Sequence, residues 1–226
     1  MNKAYLPVIS KRKIEVHLFT RNEATLSRVS ELYRFKNIHQ SLESLINSGI
    51  KGAFVHAPTS SHYAIVEQLL SHNIHVYVDK PITYDYESSE KLVALAEKKS
   101  LILMAGFNRR YAPAYQKLKE LQDPNMIIMQ KNRKSLPGEV RNFIFDDFIH
   151  VIDTLLFLFP YAIEKLIVTG RKKDKQLYHV VVQFIAAHGA TAIGIMNRYS
   201  GTVKEKLEVF TSGEKRVVYN VSDTFV

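Results

Sequence analysis

Four short stretches of this sequence carry side chains that can do chemistry. The first is Asp79-Lys80-Pro81, directly after the strand-like run at residues 74–78. A lysine at the end of a buried strand can polarise an oxygen or lower the pKa of a hydroxyl. An exposed strand-end lysine beside a turn proline explains the same three letters. The second is Asp146, His150 and Asp153. Asp146 and His150 are four apart, so on a helix they share a face and the carboxylate can orient the imidazole as a base. Polar pairing at a domain junction is the blander account, and nothing in the spacing demands a metal. The third is Gly106-Phe107-Asn108-Arg109-Arg110, where glycine permits close backbone approach, Asn108 can bond an amide or hydroxyl, and the arginines suit anions. The fourth is Ala57-Pro58-Thr59-Ser60-Ser61-His62, where a strand end meets a helix start and free N–H groups can meet phosphates. Simple N-capping by Ser60 or Ser61 is the alternative there.

The elements that must position these residues follow from hydrophobic periodicity. Residues 14–19 read as a strand, and Thr20-Arg21-Asn22-Glu23 has the capping-box spacing that opens a helix through about residue 33. Residues 41–46 read as a short helix, 53–57 as a strand, 61–71 as a helix, 74–78 as a strand, 85–99 as a helix and 101–105 as a strand. Strands separated by helices are βαβ units, which predict a parallel sheet covered on both faces, with ligands at the carboxyl ends of its strands. Beyond residue 110 the pattern changes. Helices are expected over 111–121 and 145–159, a strand over 126–130, and then β-like runs over 163–168, 177–185, 190–196, 203–210 and 216–221, spaced as an antiparallel meander. The expected division is residues 1–110 and residues 111–226.

Composition bounds the function. The chain has 226 residues, 46% of them hydrophobic and 23% charged, which is globular composition and argues against disorder. There are no cysteines, which removes disulfides, thiolate metal sites and cysteine nucleophiles and fits a reducing, cytoplasmic setting. The longest apolar run, residues 155–159, is far below the roughly 18 residues of a membrane span, so no membrane partner is expected. The formal charge of +9 is scattered in twos and threes, as at Lys11 to Lys13, with no aromatic-interleaved run. That argues for a solvated surface, or attraction to a phosphate-bearing small molecule, rather than nucleic acid.

Together, Ala57-Pro58-Thr59-xx-His62, Asp79-Lys80-Pro81, Gly106-Phe107-Asn108-Arg109-Arg110 and Asp146-xxx-His150-xx-Asp153 form an ordered set. This combination resembles the Gfo/Idh/MocA family, and the stretch from residue 2 to about 156 looks like its MviM-type members. The resemblance implies an α/β protein: a Rossmann domain binding NAD(P), then an α+β domain with an open antiparallel sheet used for homo-oligomer contacts. It implies oxidation of a secondary alcohol of a sugar or polyol, or the reverse reduction. By resemblance Lys80 is the lysine of the family's Glu-Lys-Pro motif, touching substrate and nicotinamide ribose, with Asp79 in place of the glutamate. His150 is then the general base and Asp146 its partner. Pro58, Thr59 and His62 match the family's cofactor segment, with Ala57 where a threonine is usual.

In Rossmann domains an acid after the second strand bonds the adenosine ribose 2′-hydroxyl, whereas an arginine accepts a 2′-phosphate. Here the slot reads Thr20-Arg21-Asn22, which favours NADP(H) over NAD(H), with Arg21 against the phosphate. Thr20 as a simple helix cap is compatible with that role. One departure stands out. None of the nine glycines forms a Gly-x-Gly turn, and the sequence starts where the family's first helix should be. The first strand and phosphate loop, and the family's final elements, are expected to be missing, as in a fragment. The lost loop favours a non-catalytic sensor, scaffold or inert piece; Lys80, Asp146 and His150 favour an enzyme.

Overall fold

The computed structural model describes residues 2–225, which form two compact units divided between Gly106 and Phe107. The first opens with helix α1 (Asn2–Ile9) and then alternates β1 (His17–Phe19), α2 (Glu23–Tyr33), β2 (Asn37–His39), α3 (Leu42–Asn47), β3 (Gly52–Val55), α4 (His62–Ser71), β4 (His75–Val78), α5 (Tyr86–Lys98) and β5 (Leu103–Ala105). Helices α2, α3 and α5 begin where a side chain takes up an otherwise orphaned N–H. Asn22 Oδ1 accepts from Thr25 N at 2.7 Å, Ser41 Oγ from Ser44 N at 3.0 Å, and Asp85 Oδ1 from Ser88 N at 2.8 Å. The cap of α2 is therefore Asn22, not Thr20 in a capping box. Glu23 is already the first helical residue, and Thr20 Oγ1 takes only the Asn22 N–H, at 3.5 Å.

All strand pairs in this unit are parallel, as βαβ alternation requires. They form two sheets, β2-β1 and β3-β4-β5, so the expected single sheet is divided between β1 and β3. The larger sheet is welded to its helices by Val55, Val76 and Val78 from the strands against Val66, Leu70 and Leu92 from α4 and α5.

The second unit contains α6 (Pro113–Lys119), β6 (Met126–Lys134), β7 (Gly138–Glu139), a single turn α7 (Val140–Asn142), a π-turn over Phe143–Phe148, and α8 (Ile149–Leu158). It ends with β8 (Lys165–Lys173), β9 (Gln176–Ile185), β10 (Thr191–Ser200), β11 (Lys204–Phe210), β12 (Lys215–Tyr219) and β13 (Asp223–Phe225). The sheet order is β13-β12-β11-β6-β10-β9, with β7 and β8 both on β9. The expected antiparallel meander holds at both flanks. At the centre it does not, because β6 and β10 pair in parallel. They are joined by a long connection through α8, β8 and β9 rather than by a hairpin, which is what parallel neighbours need.

On the sheet face under α8, β6 presents Ile127 and Met129, β10 presents Ala192 and Met196, and β11 presents Leu207 and Val209, all buried. Helix α8 answers with Val151 and Leu155, four apart and fully buried. Between them lies Gly194. A Cβ there would sit 2.8 Å from Leu155 Cδ1, 2.8 Å from Val151 Cγ1 and 2.9 Å from Val182 Cγ1. The helix rests on bare strand backbone at this point. Among the described residues no helix is long and apolar enough to cross a membrane. Gly194→Leu is expected to lift α8 and destabilise the protein by about 1–3 kcal/mol of overpacking, read as a lower urea midpoint. An unchanged midpoint would show that α8 does not bear on this glycine.

Candidate active site

In the first unit the candidate residues lie at the carboxyl ends of the parallel strands. Lys80 follows β4 and is half-buried; its backbone N–H donates to Asp79 Oδ1 at 2.8 Å, and the Lys80–Pro81 peptide is cis. His62, the first residue of α4, is buried at 1% exposure. Its Nδ1 lies 2.9 Å from the carbonyl oxygen of Pro81 and its Nε2 2.9 Å from that of Ala57. Both ring nitrogens are thus engaged by backbone carbonyls, and the ring ties the loop after β3 to the loop after β4. The expected contact of His62 with cofactor gives way to a positioning role, because no ring nitrogen is left for a ligand.

Pro58 and Thr59 precede α4, with Thr59 in a short 3-10 turn (Thr59–Ser61). Ser61 makes no side-chain cap hydrogen bond, so side-chain capping does not account for its place before α4; the His62 N–H bonds the Thr59 carbonyl instead. Gly106, directly after β5, is closely approached by β4: a Cβ there would meet Tyr77 Oη at 2.8 Å and the Val78 carbonyl oxygen at 3.2 Å. Tyr77 Oη in turn shares a 2.7 Å hydrogen bond with Tyr5 Oη of α1. Thr20 and Arg21 follow β1, and Arg21 is exposed.

In the second unit Asp146 and His150 lie on either side of the junction between the π-turn and α8. Asp146 is exposed and His150 half-buried. Residues 145–159 were expected to be one regular helix. The wider π-turn rotates the side chains that precede α8, and it sends Asp147 inward toward the sheet. Asn108 is exposed in the 3-10 turn Asn108–Tyr111. The arginines beside it are not available for a ligand anion, contrary to expectation. Arg109 pairs with Glu205, which also accepts from Tyr115 Oη at 3.0 Å, and Arg110 Nε bonds Asp153 Oδ1 and Oδ2 at 2.9 and 3.0 Å. Asp153, at 4% exposure, is consumed by that pair.

A charged cluster that the motifs did not announce sits on the helix-covered face of the sheet. Lys131 of β6 is buried at 1% exposure and donates to Asp147 Oδ1. Arg133 Nε and Arg198 Nε approach the other carboxylate oxygen of Asp147 at 3.8 and 4.0 Å. Burial lowers the Lys131 ammonium to about 8, with Asp147 opposing that shift and Arg109 and Arg133 adding to it. The signal that could have found the cluster is parity: Lys131 falls in step with Ile127 and Met129, where an apolar residue belongs.

The chain matches the GFO_IDH_MocA model, described as an oxidoreductase family with an NAD-binding Rossmann fold, over residues 5–107, and the YceM-like C-terminal domain over residues 113–225. It belongs to the Gfo/Idh/MocA oxidoreductase family. The YceM protein of Salmonella typhimurium is 35% identical over 199 residues, covering 87% of this chain, and the chain spans 63% of that relative's length. The crystal structure of the MviM dehydrogenase from Clostridium difficile superposes with a TM-score of 0.89 at 33% identity, over 97% of this chain and 73% of that one. UDP-N-acetylglucosamine 3-dehydrogenase of Acidithiobacillus ferrooxidans is 30% identical over 104 residues, 45% of this chain and 33% of that protein. The Gfo/Idh/MocA fold, a Rossmann-like parallel sheet followed by a mixed-sheet domain, is the one described above.

The buried lysine makes a pH prediction. Its proton leaves the folded chain near pH 8 but the unfolded chain only near its ordinary 10.5. Between those values the unfolded state binds more protons, so stability rises with pH across that window and the burial penalty is fully present below it. The gain is about 3 kcal/mol at most, from about 1.4 kcal/mol per unit. Between pH 7.5 and 10 the urea midpoint of the parent chain is expected to rise relative to that of Lys131→Met. A pH-independent difference would contradict it.

Proposed function

We propose that the chain serves an NADP(H)-dependent oxidoreductase acting on a secondary alcohol or ketone of a sugar or polyol derivative. The observation that carries the reading is Lys80 at the carboxyl end of β4, set by the His62 tie between the β3 and β4 loops. Family membership and the relative named UDP-N-acetylglucosamine 3-dehydrogenase support it. The donor set at these strand ends suits a dinucleotide. The positive N-terminal end of α4 and the Thr59 hydroxyl would meet its polar backbone, Asp79 a ribose hydroxyl, Asn108 an amide, and Thr20 with Arg21 the adenosine ribose, where a guanidinium favours a 2′-phosphate. Bound there, a nicotinamide supplies the hydride donor or acceptor.

The remaining work falls to the chain's own side chains. The Lys80 ammonium stabilises the negative charge that develops on the substrate oxygen. His150 takes the hydroxyl proton in oxidation and returns it in reduction, with Asp146 orienting its ring. A ligand-sensing or scaffold role is the second reading, favoured by the division of the parallel sheet between β1 and β3.

Cofactor binding followed by nicotinamide fluorescence, together with turnover on a panel of polyols, separates the two. His150→Ala is expected to lower turnover by about a hundredfold or more while cofactor affinity stays within about twofold. Equal loss of both would assign His150 a structural role, and firm binding without any turnover favours the sensor. Arg21→Asp is expected to shift preference toward NAD(H) by about tenfold, or about 1.4 kcal/mol. Unchanged preference would remove Arg21 from the phosphate site.

A further inference from the structure

The charged cluster of the second unit is unbalanced. Arg109 is matched by Glu205, and Lys131 by Asp147. Among the described residues Arg133 and Arg198 have no carboxylate of their own, and both turn toward Asp147, at 3.8 and 4.0 Å, beyond hydrogen-bonding reach. Their side chains are only 28% and 15% exposed. Arg133 Nη1 donates to the Asn132 carbonyl at 3.1 Å, a single weak use of a five-donor fork. Arg198 Nε is buried with no acceptor at all, and its guanidinium lies over the Phe143 ring at 5.1 Å. Four cations against two carboxylates leave a formal surplus of two positive charges in a half-buried place.

A guanidinium does not relieve such a surplus by losing its proton. Half-buried charge that is left unpaired is costly, and a donor without an acceptor adds to that cost. Two adjacent forks match the planar, bidentate geometry of a carboxylate or a phosphate face. The exposure of Arg133 gives such a group a way in, and Lys131 with Asp147 holds the floor. Asp147 also lies on the same continuous segment as His150, three residues earlier, so the surplus charge belongs to the element that carries the candidate base.

We propose that Arg133 and Arg198 bind an oxyanion carried by the substrate, which makes the substrate an acidic sugar or polyol bearing a carboxylate or phosphate group. The inference rests on the oxidoreductase reading above and narrows its substrate class.

Calorimetric binding by the full chain without cofactor tests it, at fixed ionic strength, with two matched pairs: gluconate against glucitol, and glucose 6-phosphate against glucose. The acidic member of at least one pair is expected to bind about tenfold or more tighter than its neutral partner, and which pair does so separates carboxylate from phosphate. Arg133→Gln and Arg198→Gln are each expected to weaken that acidic ligand by about tenfold, Arg133→Lys by less. Lys175→Gln, which removes one exposed charge from the turn between β8 and β9, is expected to stay within about twofold and controls for net charge. Should Arg198→Gln not fold, Arg133→Gln, at the more exposed site, decides. The inference is overturned if neither pair discriminates, if nothing binds, if Arg133→Gln leaves the acidic ligand unaffected, or if Lys175→Gln costs as much. Because the titrations omit cofactor, they read acid preference apart from redox activity: acid-selective binding with no turnover in the separate cofactor-loaded assay would sink only the redox reading, and turnover of neutral polyols there without acid preference in the titrations would sink only this one.

Discussion

The second unit depends on how closely α8 lies to its sheet, and Gly194 sets that distance. With Val151 and Leu155 resting on strand backbone, the helix start and the π-turn before it come down to the level of the strand side chains. Asp147 can then reach Lys131, and the half-buried His150 is held on a rigid element. A large side chain at position 194 would displace Val151 and Leu155 and, with them, the helix. The same face of the sheet would then present its charged end to a gap instead of to a carboxylate.

That face changes character along its length. Going along β6 in steps of two, Ile127 and Met129 are followed by Lys131 and Arg133; along β10, Ala192, Gly194 and Met196 are followed by Arg198. One half of the interface with the helix segment is sealed by apolar burial and the other half is ionic. Buried ion pairs contribute little to net stability, because desolvation offsets most of the attraction. Retaining this many at one end of a core that could be apolar throughout is an arrangement better suited to recognition than to folding.

Much of this was legible in the sequence. The alternation of β-branched runs with amphipathic stretches gave the βαβ order, and Asp85 and Ser41 announced their helices by type and place. The π-turn was not legible, since Phe143-Ile-Phe-Asp-Asp-Phe148 has the same apolar spacing whether the turn closes at four residues or five. Nor was the parallel β6–β10 pair, because strand periodicity carries no partner. Arg109 and Arg110 looked like an anion site, and only the tertiary fold revealed that Glu205 and Asp153, distant in sequence, had already claimed them. His62 was misread for the same reason: two carbonyls from separate loops meet at its ring.

The central position of β6 has a consequence for how the chain acquires its structure. Its two neighbours, β10 and β11, both come from far downstream, so residues 126–134 have no hydrogen-bonding partner until about residue 200 has been made. The ribosome therefore releases the apolar first half of β6 well before its sheet neighbours exist to cover it, while the β8–β9 hairpin closes early by itself. Over that interval Lys131 and Arg133 act as charged gatekeepers at the end of the unpaired segment, discouraging self-association during synthesis.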